Sequence, residues 1–330
     1  MNIHEYLSED GQAVLALCSA SALPEPAGEL QPFKLSEWNQ LARQIKDSPL
    51  KQPAALPGRT AEQLVKDLLL PAEEAERIVR LLERSGRLAL ELEGLFAKGM
   101  WAVTRVDEQY PPKLRDTLKH QGPTVLFGAG ELRLLRHAGL AVIGSRNIDE
   151  AGSAFAQEVG RKGAAAGLPV VSGGARGTDR LAMTGALDAG GIAFGVLADS
   201  LERTVRQTDL RQLLLEGQLV LVTPYVPTAG FSVGGAMGRN KLIYGLANFA
   251  VVVSSDFQTG GTWAGAVEAL KAGWCPVFVR DGAAVPKGNR ELLKMGATSL
   301  PEPELKEIEN LGTWLRQQSR PNLKEGELFQ

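Results

Sequence analysis

Cysteine and histidine are scarce in this chain, and their scarcity excludes several kinds of site. The two cysteines, Cys18 and Cys275, lie far apart and form no CxxC pair, so we expect reduced thiols and neither a disulfide framework nor a zinc site. The three histidines, His4, His120 and His137, are scattered as well. No histidine-based metal centre or catalytic triad is apparent, and we predict no metal and no cofactor.

The chain also lacks a large charge of one sign and any long apolar run. Its net charge is −2, so no overall positive field can hold nucleic acid, and such binding would require a local basic patch. No stretch is long and apolar enough to span a membrane, and the N-terminus has no basic segment before an apolar core. We therefore expect a soluble, cytoplasmic protein without a secretion signal.

Glycine, in contrast, is abundant, with 37 residues in a chain of 330. Between residues 140 and 300, short apolar runs alternate with helical patterns. This alternation predicts an α/β fold with a Rossmann-like parallel, or mostly parallel, sheet and helices on both faces. The predicted strands lie near 140–144, 169–172, 192–197, 218–223, 249–254 and 276–279.

The first 100 residues predict a small all-α domain of short helices separated by prolines. Ser36 is the expected cap of the helix that carries Trp38, and Thr60 with Gln63 forms a capping-box pattern for the next helix. At the other end of the chain, one helix is predicted over Glu304–Gln318, followed by a loose polar tail. The predicted division is an N-terminal helical domain over 1–100, a Rossmann-like domain over 101–318 and a tail over 319–330.

A glycine turn between a strand and a helix is the first candidate site. The apolar run before Ser172 leads into Gly173, Gly174, Ala175, Arg176 and Gly177, and a helical pattern opens at Asp179, a good cap residue. Backbone N–H groups at such a turn can bind an anion, and arginine adds a forked donor set that suits phosphate oxygens. By itself, the turn is also compatible with a plain strand-to-helix corner.

Three further turns resemble this one and favour a binding site. One ends a predicted strand at Gly144, one opens a predicted helix at Gly238, and one follows another strand at Gly260. The carboxyl ends of neighbouring parallel strands share one rim, where open α/β folds bind ligands, so the basic residues of these turns are expected around a single rim. The predicted DNA- and phosphate-binding residues are Gly144, Ser145, Arg146, Gly173, Gly174, Arg176, Gly177, Arg239, Asn240, Lys241, Gly260, Gly261 and Thr262.

The order of these motifs resembles the DprA/Smf family of DNA-processing proteins. The resemblance covers roughly residues 100–300 and implies a Rossmann-like domain that binds single-stranded DNA through its glycine turns, forms a homodimer and assists a RecA-type recombinase during transformation of competent cells. It also implies a SAM-like or helix-hairpin-helix-like module within 60–100. The matching segments are Asp107–Pro111, Gly122–Leu126, Ile143–Arg146, Val171–Asp179, Gly238–Leu246, Gly260–Thr262, Gly288–Asn289 and Met295–Ala297.

Several positions depart from the family pattern and indicate a divergent member. Ala236 stands where the family has an aromatic residue, which removes a possible base-stacking platform, and Lys241 stands where it has a second arginine. Met183 replaces a common histidine, Val222-Thr223 replaces Ser-Glu, and Trp263 replaces a small or aliphatic residue. No winged-helix pattern follows residue 320. A role in another DNA-linked pathway, such as phage defence, is compatible with these departures.

Two other classes of protein compete with a DNA-binding one. A nucleotide-binding protein or a phosphoribohydrolase on the same fold would use Glu268, six residues after Thr262, as its catalytic glutamate, although a solvent-facing helix glutamate is the simpler interpretation. An oxidoreductase is disfavoured because the turn at 173–177 is not Gly-x-Gly-x-x-Gly and only Asp199 could bind a ribose. A pure interaction protein would not need three arginine turns. We predict a non-enzymatic, single-stranded DNA-binding protein.

Overall fold

A computed structural model describes residues 6–23 and 30–319 of the chain. The chain divides into two compact units. The first unit comprises Met1–Arg133, Ala198–Leu214 and Leu221–Ser232, and the second comprises Leu134–Leu197, Leu215–Val220 and Val233–Gln330. The predicted domain boundary near residue 100 stays a prediction, and the predicted polar tail lies outside the described residues, apart from Ser319.

The N-terminal part of the first unit is helical, as predicted. Thr60 and Gln63 form the predicted capping box, because each side chain accepts a hydrogen bond from the other residue's backbone N–H. The cap expected at Ser36 is wrong: the cap residue is Lys34, two residues earlier, and Glu37 accepts from its backbone N–H at 2.6 Å. The helices are α1 (Glu9–Cys18), α2 (Leu35–Asp47), α3 (Ala61–Leu68), α4 (Ala72–Glu83), α5 (Ser85–Ala97) and, further on, α6 (Pro112–Leu118).

The strands form one mixed, mostly parallel sheet of nine, with the order β1-β2-β6-β5-β4-β3-β7-β8-β9. Strands β1 and β2 are antiparallel to their neighbours, and the run from β5 to β9 is parallel, which confirms the predicted fold class. The strands are β1 (Met100–Thr104), β2 (Val125–Ala129), β3 (Gly139–Gly144), β4 (Val170–Ser172), β5 (Ala193–Val196), β6 (Leu219–Thr223), β7 (Ala247–Ser254), β8 (Val277–Asp281) and β9 (Thr298–Pro301).

Two helix predictions in the second half of the chain are wrong in their limits. The helix expected to open at Gly238 begins five residues earlier, at Val233, and the single helix expected over Glu304–Gln318 is two helices with a break after Glu307. The helices here are α7 (Glu150–Ala165), α8 (Thr178–Asp188), α9 (Leu201–Thr204), α10 (Thr208–Leu215), α11 (Val233–Gly245), α12 (Gly260–Ala272), α13 (Lys287–Lys294), α14 (Glu302–Glu307) and α15 (Leu311–Gln318).

The direction in which the chain adds strands to the sheet reverses between β3 and β7. The chain runs from β3 through β4 to β5 on one side, and later returns to β7 on the other side of β3. Right-handed crossovers therefore place α7 and α8 on one face of the sheet and α12 on the opposite face. Apolar side chains of α7 and α8, among them Phe155 and Ala182, pack with Leu140 and Val142 in one buried core. In open α/β sheets, a topological switch point of this kind is where ligands bind.

Candidate nucleic-acid interface

The turn after β3 lies directly at the switch point. The backbone N–H of Ser145 donates to the carbonyl of Ser254 at 2.9 Å, which joins the carboxyl ends of β3 and β7. Arg146, the next residue, is exposed. This arrangement places an exposed arginine beside the crevice that the strand order creates.

The glycine turn after β4 packs against this first turn. The backbone N–H and hydroxyl of Thr178 both donate to the carbonyl of Ser145, at 3.3 and 3.1 Å. Gly177 has a φ of 79°, and a Cβ atom there would lie 2.5 Å from the carbonyl oxygen of Arg146, so only glycine fits. The two predicted turns therefore form one surface, with Arg176 exposed on the second turn.

Arg239 supports the second turn from beneath. Its side chain is only 8% exposed, and Nη2 donates to the carbonyl of Gly173 at 3.2 Å. A Cβ atom on Gly173 would lie 2.0 Å from Nη1 of Arg239, so the guanidinium packs directly against the glycine backbone. Because α11 begins at Val233, Arg239 lies inside the helix rather than at its start. Its charge is placed behind the turn, whereas Arg146 and Arg176 face solvent.

Asp179 is buried next to the same turn and is not the helix cap that its sequence position indicated. Helix α8 begins at Thr178 with Gly177 as its cap residue, and the Asp179 carboxylate accepts from the backbone N–H of Ala175 at 3.4 Å. Burial raises the pKa of this carboxyl to about 6, against the opposing effect of the Arg239 charge and of hydrogen bonds from the turn. A buried acid thus lies behind the predicted phosphate-binding turn.

The fourth predicted turn is connected to α11. The Asn240 side-chain amide donates to the carbonyl of Gly261 at 3.2 Å, and α12 begins at Gly260. Lys241, the neighbour of Asn240, is half-buried, and burial lowers its pKa while the charge of Glu268 acts in the opposite direction. Glu268 itself is exposed on α12, as the simpler interpretation of this residue predicted.

Two exposed residues that the sequence did not single out extend this interface, and a buried asparagine supports it. Arg180 is exposed in the first turn of α8, and Lys287 is exposed at the first position of α13. Asn289 is fully buried: its Oδ1 accepts from the N–H of Ser255 at 2.8 Å, and its Nδ2 donates to two strand carbonyls at 3.0 Å. The match of Gly288–Asn289 to the family pattern was the only signal in the sequence for this contact.

Taken together, the turns after β3 and β4, a segment inside α11 and the first turn of α12 form one linked surface, with Arg146 and Arg176 exposed on the two turns. We call it the turn cluster; it comprises residues 144–146, 173–178, 239–241 and 260–262. Exposed backbone and arginine fit a phosphate chain, which needs charge and hydrogen-bond donors but no enclosing cavity. Within residues 6–23 and 30–319, no group of three His, Cys, Asp or Glu side chains is placed to hold a metal ion. None of the helices in those ranges is both long and apolar enough to cross a bilayer.

The sheet order and the turn cluster at its switch point define an open α/β protein of the Rossmann-like class. Within this class, a family profile described as DNA recombination-mediator protein A matches residues 101–310, about two thirds of the chain, and the chain belongs to this family. The match confirms the resemblance to DprA/Smf proteins that the motifs indicated.

Curated relatives carry the same family names. Protein Smf of Escherichia coli is 32% identical over 212 residues, which cover 62% of this chain and 54% of that protein. A putative DNA processing protein DprA of Mycobacterium tuberculosis is 29% identical over 275 residues, or 76% of this chain and 66% of the relative. The chain therefore spans between about half and two thirds of the length of these relatives.

Two solved structures share the fold. The DNA processing protein A of Streptococcus pneumoniae superposes with a TM-score of 0.60 at 22% identity, over 85% of this chain and 99% of that one. The Helicobacter pylori protein, whose structure concerns a single-stranded DNA binding mode, gives a TM-score of 0.52 at 22% identity, over 66% of this chain and 94% of that one. At this identity, the likeness concerns the fold.

Proposed function

We propose that this protein binds the phosphate backbone of single-stranded DNA at the turn cluster and processes DNA without breaking a covalent bond. The observation that carries the proposal is the packing of two glycine turns against each other at the switch point, with Arg146 and Arg176 exposed on them. Backbone contacts fix the distance between the two turns. The two arginines therefore extend from a rigid part of the backbone. Binding to phosphates in this way has no sequence preference.

The further steps of the proposed role rest on the family and not on the turn cluster. A recombination mediator binds a strand and passes it to a recombinase, so we propose a RecA-type recombinase as the partner and a homodimer as the working form. Analytical ultracentrifugation of the full chain tests the dimer. Strand-exchange assays with a cognate recombinase, in the presence of a single-strand-binding protein, test the transfer; an unchanged rate on addition of this protein would contradict it.

Arg146→Ala and Arg176→Ala test the binding site itself. Each removes a cation that would contact a phosphate, and a charge-assisted hydrogen bond is worth about 1.5–3 kcal/mol, so we expect the affinity for a labelled single-stranded oligonucleotide to fall about 10-fold or more. Fluorescence anisotropy at low salt measures this change, with a duplex of the same sequence run alongside.

Arg316→Ala is the matched control, because it removes the same charge from an exposed position on α15. We expect its affinity to remain within about two-fold of that of the parent, since isolated surface charges contribute little. Equal weakening in all three variants would indicate a general charge effect and contradict the site. If the parent bound neither form of DNA at low salt, the DNA-binding function would be wrong, and a nucleotide ligand near Glu268 would be tested next.

A further inference from the structure

Two aromatic rings lie beside the turn cluster, where β7 leads into α12. The ring centroids of Phe257 and Trp263 are 5.1 Å apart, and their planes meet at 79°, so the edge of one ring faces the plane of the other. Both side chains are half-buried and keep part of their surface in solvent. The ammonium group of Lys287 lies 4.6 Å from the centroid of the Phe257 ring.

The segment that carries these rings is held rigidly by α13. A Cβ atom on Gly288 would lie 2.2 Å from the carbonyl oxygen of Ser255, so the start of α13 packs directly against the backbone that precedes Phe257. Asn289 adds the buried hydrogen bond to the N–H of Ser255. One residue after Phe257, Gln258 has a φ of 56°, which turns the chain sharply towards α12. The rings are therefore fixed before any ligand arrives.

The position of the rings relates them to the phosphate-binding turns. Trp263 directly follows the Gly260–Thr262 turn, and Gly261 of that turn accepts the hydrogen bond from Asn240. At the start of the same segment, Ser254 accepts from Ser145, the neighbour of Arg146. A strand whose phosphates contact the turn cluster would thus have its bases within the reach of the rings.

We propose that Trp263, positioned by Phe257, is a stacking platform for one nucleobase of the bound single strand. Every base has a flat π-face, so stacking on an indole adds affinity without selecting a sequence. Lys287 supplies a positive charge for the phosphate next to the stacked base, whereas the exposed carboxylate of Asp256 disfavours a phosphate directly over the rings. The platform rests on the proposed function, since a base reaches it only if the DNA backbone contacts the turn cluster.

This assignment also accounts for two departures of the chain from its family. The resemblance to the DprA/Smf family implies an aromatic residue at position 236 and a small or aliphatic one at position 263, whereas this chain carries Ala236 and Trp263. The aromatic surface that the resemblance implies on α11 would here be supplied by α12. The structure places this second surface next to Gly261, which is the residue that α11 contacts through Asn240.

The experiment compares the affinities of the protein for a twenty-nucleotide oligothymidine and for an abasic oligonucleotide of the same length, which keeps the phosphates and lacks the bases. We expect the parent to bind the oligothymidine about 5- to 150-fold more tightly than the abasic chain, as one stacked base predicts. Trp263→Ala should abolish this preference while its affinity for the abasic chain stays within two-fold of that of the parent. Trp263→Phe, which keeps a ring, should restore most of the preference.

Intrinsic fluorescence gives an independent readout. Trp38, Trp101 and Trp274 are buried, and Trp314 is half-buried in the core that α7 shares, so Trp263 is the tryptophan placed to stack on a base. Oligothymidine should quench the emission of the parent, the abasic chain should not, and Trp263→Phe should lose the response.

The outcomes separate this proposal from the function on which it rests. If the parent binds neither oligonucleotide, the DNA-binding function fails. If the parent binds both equally, or if Trp263→Ala weakens both by the same factor, DNA binding stands and the stacking platform is wrong. Thymidine monophosphate that competed as strongly as the oligonucleotide would assign the rings to a single nucleotide and would also overturn the proposal.

Discussion

Asp179 directly follows residues 173–178 of the turn cluster, and its surroundings differ from those of an ordinary surface acid. Its carboxyl is 6% exposed, and burial raises its pKa to about 6, well above the usual value near 3.8. Between about pH 4 and pH 6, the folded protein therefore holds a proton that the unfolded chain has lost. The contribution of Asp179 to stability falls as the pH rises through this window, by roughly 3 kcal/mol in total.

The same carboxyl should make DNA binding depend on pH. Protonation removes a negative charge from beneath the turn that carries Arg176, so we expect the affinity for single-stranded DNA to rise about three- to ten-fold between pH 7.5 and pH 5. Anisotropy titrations at constant ionic strength measure the change. Asp179→Asn, which cannot ionise, should show a flat profile. If the affinity of Asp179→Asn changed with pH as that of the parent does, another group would be responsible for the pH dependence.

At the scale of elements, the carboxyl end of β7 links the first turn of the interface to α13. It pairs with β3 and β8, its last residue accepts from Ser145, and α13 is fixed to the segment that follows it through Asn289. The buried side-chain amide of Asn289 donates to a backbone carbonyl of β7 and to one of β8. Together with the packing of Gly288 against Ser255, this residue fixes the position of α13 and with it that of Lys287.

Asn289→Ala should therefore destabilise the protein and weaken DNA binding together. The substitution leaves one buried N–H and two buried carbonyl groups without the partners they have now, and we expect a loss of about 2–4 kcal/mol in the free energy of unfolding. Urea denaturation followed by circular dichroism measures it. Asn248→Ala, at an exposed position of β7, is the control and should change stability by less than about 0.5 kcal/mol. Equal shifts in the two variants would contradict the role of Asn289.

At the scale of the whole molecule, the charge is almost balanced, and the cations that face DNA are few. The net charge is −2, and the exposed basic residues at or beside the turn cluster are Arg146, Arg176, Arg180 and Lys287. If each neutralises one phosphate, at most four counterions are displaced per chain. We expect the logarithm of the affinity to fall with the logarithm of the salt concentration with a slope no steeper than about −3.

A salt series from low to physiological concentration checks this slope. The double variant Arg146→Ala, Arg176→Ala should flatten it by about 1.4, because each phosphate contact with a single strand contributes about 0.7. A parent slope near −6 or steeper would mean that DNA follows a longer path over the molecule than the turn cluster. An unchanged slope in the double variant would place the phosphate contacts elsewhere.

Six strands, β3 to β8, could be predicted from the sequence to within about two residues, because each is a short apolar run that ends at a glycine or polar turn, whereas β9 (Thr298–Pro301) was not predicted. Helix limits were harder to predict. The first turn of α11 contains Gly234 and Gly235, which are poor helix formers, so the sequence pattern predicts a helix only from Gly238. Near the end of the chain, the apolar spacing of Ile308 and Leu311 continues across the break between α14 and α15 and conceals it.

The parts of the site that depend on tertiary contacts could not be predicted in this way. The turns of the cluster were located from their glycines, and the structure brings them together. The burial of Arg239 behind Gly173, and the reach of Asn289 to Ser255, involve residues that are distant in the sequence and carry no local pattern. The ring pair of Phe257 and Trp263 is likewise visible only once the turn at Gln258 has folded.

The hydrogen bond between Ser145 and Ser254 joins two strand ends that are more than a hundred residues apart in the chain. Contacts of such long range close slowly, because the entropy of the intervening chain must be lost first. During synthesis, β3, β4 and β5 leave the ribosome long before β7 does, and the anchoring Asn289 leaves later still. The growing chain thus cannot assemble the interface until almost all of its sheet has been made. A ribosome-bound chain that lacks β7 and α13 is therefore not yet able to bind single-stranded DNA at the turn cluster.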